Sequence, residues 1–386
     1  MLNFDFYNPT HIAFGEGKIA DLNTLVPHNA RVLMLYGGGS IHKNGVYDEV
    51  KQALGSRLVA EFSGIEPNPT YETLMRAVAE VKAHQIDFLL AVGGGSVIDG
   101  TKFVAAAAVF EGDDPWEILE KRGNNVNSAL PFGSVLTLPA TGSEMNSGAV
   151  ITRTSIHAKL AFGSRHCFPQ FSVLDPVKTY TLPVRQVGNG VVDAFVHVME
   201  QYLTYPVNAP VQDRFAEGIL LTLIEEGPKA LETPENYEVR ANLMWAATMA
   251  LNGVISTGVP QDWATHMIGH ELTALHGLDH AQTLAIVLPA MLRVRKEAKR
   301  EKLLQFADRV WGLRDGDEAS RIESAISRMQ AFFETMGVKT RLQNYGLGAE
   351  HIPALIASLE AHRMTKLGER RDVTPDISRQ VLELAI

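Results

Sequence analysis

The sequence predicts an α/β N-terminal domain with a Rossmann-like parallel sheet, followed by an all-α C-terminal domain. Three observations carry this. Dense apolar runs ending in glycine alternate with helical repeats through the first half of the chain. After about residue 183 such runs stop, and apolar residues recur every three or four positions. The 386 residues exceed the usual span of one hydrophobic core, so two domains are expected, 1–182 and 183–386.

The elements follow in order. ARVLMLYGGG (30–39), DFLLAVGGGS (87–96) and GSVLTLPATG (133–142) are continuous apolar runs closed by glycine, the pattern of strands buried on both faces. VYDEVKQAL (46–54), YETLMRAVAEVKAH (71–84) and VIDGTKFVAAAAV (97–109) lie between them and read as helices. Alternating strands and helices build a mostly parallel sheet covered on both sides. Prolines and glycines cluster in DPVKTYTLPVRQVGNG (175–190), which sets the expected boundary there. Beyond it, the segments 215–231, 239–254, 262–275, 298–311 and 323–336 have the spacing of amphipathic helices, with no convincing strand among them.

Composition narrows the function. With 46% hydrophobic and 20% charged residues the chain is an ordinary globular protein. Its formal net charge of -9 argues against nucleic acid and anionic membranes, both of which favour a basic surface. The start, MLNFDFYNPTHIAF, lacks the basic and apolar regions of a signal peptide, and no run approaches the ~18 apolar residues of a spanning helix. A single cysteine, Cys167, excludes an internal disulfide and a thiolate metal cluster. A cytoplasmic protein is expected, with any metal held by nitrogen and oxygen.

GGGS occurs twice, at Gly37–Ser40 and Gly93–Ser96, each time after a strand and before a helix. A flexible linker does not sit there. Such a loop lets backbone N–H groups approach a phosphate, and the positive end of the next helix adds to the attraction. A third strand-end loop, Thr137 to Ser143, offers hydroxyls, and the three loops should line one crevice. The pattern is not GxGxxG. NAD sites usually place a carboxylate on the adenosine ribose, yet Tyr36–Ser40 has none, and His42 and Lys43 follow. That favours NADP(H).

Histidines crowd the second half: four of the thirteen fall within HMIGHELTALHGLDH (266–280). In GVVDAFVHVME (190–200), Asp193 and His197 are four apart and share a helix face among apolar neighbours. A carboxylate in such surroundings is costly unless paired or metal-bound. His266 and His270 are also four apart, and His280 follows an expected break at Gly277. Asp193, His197, His266 and His280 offer one oxygen and three nitrogens, a fitting shell for a divalent metal with open positions. A bare helix face would show the same spacing. Without Glu directly after the first histidine, the pair is not the HExxH of zinc peptidases. His276 fits a solvated turn as well as a site role.

GGGSVIDGTK (93–102), LPATGSEMNSGAVIT (138–152), LDPVKTYTLP (174–183), GVVDAFVHVMEQY (190–202) and HMIGHELTALHGLDHAQTLAIVLP (266–289) resemble the group III, iron-containing alcohol dehydrogenase family. The similarity runs nearly end to end. EPNP (66–69) and VPQDWATHMIGHELTALHGLDH (259–280) bring it nearest to the family's aldehyde reductases and butanol dehydrogenases. The resemblance implies a dehydroquinate synthase-like architecture with the active site in the cleft between the domains. It implies Asp193, His197, His266 and His280 as ligands of one divalent metal, Fe2+ or Zn2+. It makes His270 a catalytic candidate beside nicotinamide and substrate, not a ligand. The implied cofactor set is Gly37, Gly38 and Ser40; Gly94, Gly95, Ser96 and Asp99; Thr137, Thr141 and Ser143; and Asn68 and Lys159. The implied activity is reversible NADPH-linked reduction of short- and medium-chain aldehydes to primary alcohols, by a homodimer. The acid-free Tyr36–Ser40 loop agrees with NADP(H).

Two alternatives stand beside it. A dehydroquinate-synthase-like or glycerol-dehydrogenase-like enzyme would also use metal and dinucleotide. The synthase chemistry needs a Lys/Arg-rich pocket, whereas the ligand-bearing segments here are apolar between their ligands. A metal-binding or nucleotide-sensing module would not need an open metal position beside the glycine loops.

Overall fold

The computed structural model of the protein describes residues 1–386. Its strands are β1 (His11–Phe14), β2 (Val32–Tyr36), β3 (Leu58–Phe62), β4 (Phe88–Gly94), β5 (Phe132–Leu138), β6 (Gly148–Arg153), β7 (Ala158–Gly163) and β8 (Phe171–Leu174). The first helices are α1 (Leu22–Leu25), α2 (Val46–Leu54), α3 (Tyr71–Ala83), α4 (Gly95–Ala107) and α5 (Glu117–Glu120). Then come α6 (Val184–Tyr202), α7 (Pro210–Glu232), α8 (Tyr237–Ala250), α9 (Ala264–His276) and α10 (His280–Val294). The chain closes with α11 (Arg300–Arg309), α12 (Glu318–Thr335), α13 (Ile352–Ala361) and α14 (Pro375–Leu384). No helix is long and apolar enough to cross a membrane.

Two compact units form. One comprises Tyr7–Leu182 and Glu235–Thr248; the other Met1–Phe6, Pro183–Pro234 and Met249–Ile386. Two segments thus depart from the expected spans of 1–182 and 183–386. Most of α8 belongs with the sheet, where Met244 joins the apolar core and Trp245 meets Phe14 edge-on at 6.1 Å. Residues 1–6 belong with the helices, where Leu2 N–H donates to Gly258 O at 2.8 Å. Both are long-range choices that local periodicity does not report.

In the α/β unit, six parallel strands run in the order β1-β8-β5-β4-β2-β3, and β6 and β7 form a separate antiparallel pair. β2 is buried at every position, which is why its sequence is apolar without alternation. Its side chains nevertheless divide. Val32, Met34 and Tyr36 pack with Val46, Val50 and Leu54 of α2. Leu33 and Leu35 pack with Leu74 and Val78 of α3 and with Val97 and Ile98 of α4. Each fully buried side chain of this kind contributes roughly 1.5–3 kcal/mol. The helices after β2 and β4 therefore lie on opposite faces of the sheet. The chain reverses its winding between these neighbouring strands, and parallel sheets bind ligands beyond the strand ends at such a point.

The two GGGS loops are not alike. Gly95 opens α4 directly, as expected. Ser40 instead enters a short 3-10 turn, Ser40–His42, and α2 begins only at Val46. The first loop thus leads into a turn and not directly into an α-helix.

In the helical unit, α6 starts at Val184, so Gly188 and Gly190 lie inside a helix and not in a boundary loop. Packing explains Gly188: a Cβ there would stand 2.0 Å from the Met336 carbonyl oxygen. Phe195 of α6 meets Phe332 and Phe333 of α12 at 5.4 Å. α9 ends where expected, with Gly277 as its left-handed cap (φ 69°). Asp279 and Gln282 then form a capping box that starts α10 at His280.

Candidate functional site

α6 presents Asp193 and His197 from one face, each 4% exposed. α9 supplies His266, 5% exposed, and the first residue of α10 is His280, half-buried. Asp193 Oδ1 lies 3.6 Å from His197 Nδ1 and 3.6 Å from His280 Nε2. The His197 and His266 rings stand 4.8 Å apart, and those of His266 and His280 5.2 Å apart. One ligand atom from each of the four falls within 4.8 Å of the others. Donors ~2.1 Å from a shared tetrahedral ion would stand ~3.4 Å apart. The two 3.6 Å pairs made by Asp193 match that spacing, and the oxygen-plus-nitrogen set suits a divalent first-row metal.

His270 follows His266 by one turn of α9 and is 3% exposed, with its ring 5.6 Å from that of His280 and 6.4 Å from that of His266. It borders the cluster without joining it. His276, which the spacing left open, pairs with the His351 ring at 5.2 Å and is not one of the four. Burial, with the nearby His351, holds its pKa below the usual imidazole value.

In the α/β unit, β2, β4 and β5 are neighbours, so their terminal loops adjoin. Gly95 has no room for a side chain: a Cβ would lie 2.3 Å from Thr141 Oγ1. This close approach ties the second loop to the third. Ser143 Oγ donates to Asp99 at 2.5 Å, and the other Asp99 oxygen accepts from Val150 N–H at 2.9 Å. Lys159 Nζ donates to Asn68 Oδ1 at 2.9 Å, and Asn68 N–H reaches Ser96 Oγ at 3.4 Å. Asn68, Ser96 and Lys159 thus form one set, and Asp99, Thr141 and Ser143 another; Thr137 is buried near the end of β5. Of the three glycines after β2, Gly38 is exposed, and a Cβ there would meet nothing within 4 Å.

Sequence reasoning missed two residues here. Lys102 is buried in α4 and donates to Ser143 Oγ at 2.8 Å, Asn146 Oδ1 at 2.9 Å and Gly148 O at 2.7 Å. Burial lowers its pKa to about 8, against the opposing pull of Asp99. A lysine inside an apolar helical run was the available signal. Glu200 was missed too. It touches His266 Nδ1 and accepts from Thr265 N–H at 2.7 Å. Its signal was its place three residues after His197.

Known proteins bear on this geometry. Residues 9–176 match the iron-containing alcohol dehydrogenase family, and residues 188–379 match its C-terminal region. The chain belongs to the iron-containing alcohol dehydrogenase family. It is 62% identical to the NADPH-dependent aldehyde reductase YqhD of Escherichia coli strain K12, over 100% of both chains. It is 44% identical to a probable NADH-dependent butanol dehydrogenase of Bacillus subtilis strain 168, over 92% of each. The crystal structure of E. coli K-12 YqhD superposes with a TM-score of 0.98 at 61% identity, covering 100% of this chain and 99% of that one. Like its family, the protein is an oxidoreductase whose parallel-sheet region precedes a helical region.

Proposed function

We propose that the protein reduces short- and medium-chain aldehydes to primary alcohols, reversibly, with NADPH and one divalent metal. The cluster of Asp193, His197, His266 and His280 carries the reading, because it joins one carboxylate to three imidazoles at metal-ligand spacing. The 62% identical relative is named an NADPH-dependent aldehyde reductase, which supports the substrate class and the cofactor. The acid-free loop after β2 supports NADPH over NADH, since a carboxylate there would repel a 2′-phosphate.

When bound, the metal would supply a Lewis acid for the carbonyl oxygen, and NADPH the hydride. Asp193, His197, His266 and His280 hold the metal. Gly37, Gly38 and Ser40 receive the adenosine end of the dinucleotide. Gly94, Gly95 and Ser96 offer amides to its phosphates, with Thr137, Thr141, Asn68 and Lys159 as further polar contacts. Asp99 and Ser143 brace each other and keep the third loop in place. His270 holds or relays the proton that the product hydroxyl requires, at the edge of the metal cluster.

Protein stripped with a chelator should lose butanal-dependent NADPH oxidation and regain it with Fe2+ or Zn2+. Full activity in verifiably metal-free protein would overturn the reading. We also propose a cytoplasmic homodimer. The lone Cys167 suits a reducing compartment, and sedimentation velocity reads the assembly directly.

A further inference from the structure

We propose that Glu200 is the positioning residue of the metal site: it turns His266 so that Nε2 meets the ion, with Asp262, Lys299 and Glu369 bracing it from behind. The inference rests on the metal reading above and goes beyond its four ligands.

Glu200 lies seven residues after Asp193 and three after His197, so all three share one face of α6. It is 3% exposed. A carboxylate so buried needs partners, and α9 provides them. Thr265 N–H donates to Oε1 at 2.7 Å, His266 N–H approaches Oε2 at 3.3 Å, and the same Oε2 contacts His266 Nδ1. The first turn of a helix has N–H groups without helical partners and attracts negative charge. One carboxylate therefore caps α9 and grips the ring of the ligand that α9 carries.

That grip selects a nitrogen. An imidazole that gives its Nδ1 proton to a carboxylate ligates through Nε2, and the carboxylate makes the ring a better donor. With Nδ1 turned to Glu200, Nε2 is the atom of His266 left to complete the set.

A second tier holds this arrangement. Asp262 N–H donates to the Glu200 backbone carbonyl at 2.9 Å, and Asp262 Oδ1 accepts from Ala264 N–H at 2.9 Å. Asp262 Oδ2 lies 2.6 Å from Lys299 Nζ, which also reaches the Glu369 oxygens at 3.0 and 3.1 Å and donates to Leu203 O at 2.6 Å. Between Asp262 and Ala264, Trp263 adopts a left-handed backbone (φ 64°) and sets its ring 5.1 Å from His266. A bulky residue keeps that conformation only where its surroundings enforce it. The hydrogen bonds of Asp262 on either side do so.

The test is a Zn2+ titration of chelator-stripped protein against a chromogenic chelator. Failure of the wild type to take up one equivalent would sink the metal reading itself. Given wild-type binding, Glu200→Gln should raise the Zn2+ Kd about 10–100-fold. Its amide can still accept from Thr265 N–H but donates to His266 Nδ1, which pushes the ring proton onto Nε2. Glu200→Asp, which keeps the charge, should recover part of the loss. A purely structural role would instead lower the melting temperature of the metal-free variant and leave its Zn2+ Kd within about twofold of wild type. That result would overturn the proposal. Should Glu200→Gln fail to fold, 15N-histidine NMR of the zinc-loaded wild type decides. Zinc on Nε2 of His266, with Nδ1 protonated, is expected; zinc on Nδ1 refutes it.

Discussion

Replacing Gly38 with Asp should move the cofactor preference from NADPH towards NADH. The structure singles out this position among the three glycines after β2. At Gly37 a Cβ would come 3.1 Å from the Ile65 carbonyl oxygen. Gly39 has φ 90°, which strains any side chain. Gly38 has open space and no left-handed backbone. The variant should therefore fold normally. A 2′-phosphate carries a charge of ~-1.5 to -2. For each unit of that charge, a carboxylate ~5 Å away costs ~0.8 kcal/mol in water and ~3 kcal/mol at the effective dielectric of a protein surface. The loop is exposed, so a net penalty of ~2 kcal/mol is reasonable, or ~30-fold weaker NADPH binding. NADH gains a charge-assisted bond from its ribose hydroxyl, worth ~1–1.5 kcal/mol or ~10-fold. The ratio of kcat/KM for the two cofactors should shift by ~10²–10³ in total. Steady-state kinetics with butanal at low salt and at ~1 M salt measure both terms, because a Debye length of ~3 Å screens the repulsion. A ratio that moves less than ~3-fold, or a shift indifferent to salt, would refute the placement of the adenosine phosphate at this loop.

Further outcomes follow from the same structure. Alanine at Asp193, His197, His266 or His280 should cut metal affinity ~10-fold or more while NADPH titration by fluorescence is unchanged, and His270→Ala should keep its metal and lose turnover. Metal loss in His270→Ala, measured by mass spectrometry, would count against its role outside the shell. Cys167 is fully buried and burial pushes its thiol up to about 12, so iodoacetamide should spare the folded protein at mildly alkaline pH and label it in urea. Rapid labelling without denaturant would contradict that burial. Gly188→Ala should cost ~1–3 kcal/mol in a denaturant melt by driving α6 from the Met336 carbonyl, and metal affinity should fall with it. An unchanged midpoint would show that the helices can part freely.

Sequence alone determined the parts governed by local spacing. β2, β4 and β5 were legible because burial on both faces makes a strand continuously apolar, and glycine marks its end. Asp193 and His197 were legible because a four-residue step fixes two side chains on one helix face, whatever the rest of the chain does. Gly277 announced the break between α9 and α10. α10 itself was not recognised: nearly every residue from Ala281 to Leu292 is buried, so it has no wet face to create a helical period. The short strands β1, β3 and β8 gave too little pattern to read, and the exchange of residues 1–6 and 235–248 between units left no local trace. Tertiary structure decided what spacing could not. It closed 66 residues between Glu200 and His266, and 41 between Lys102 and Ser143. It sent His276 to His351 and kept His280 with Asp193. A sequence pattern records which face of an element avoids water. Which ring nitrogen is held, and which buried carboxylate holds it, depends on contacts made only when distant elements pack, because a buried charge takes whatever partner the fold brings to it.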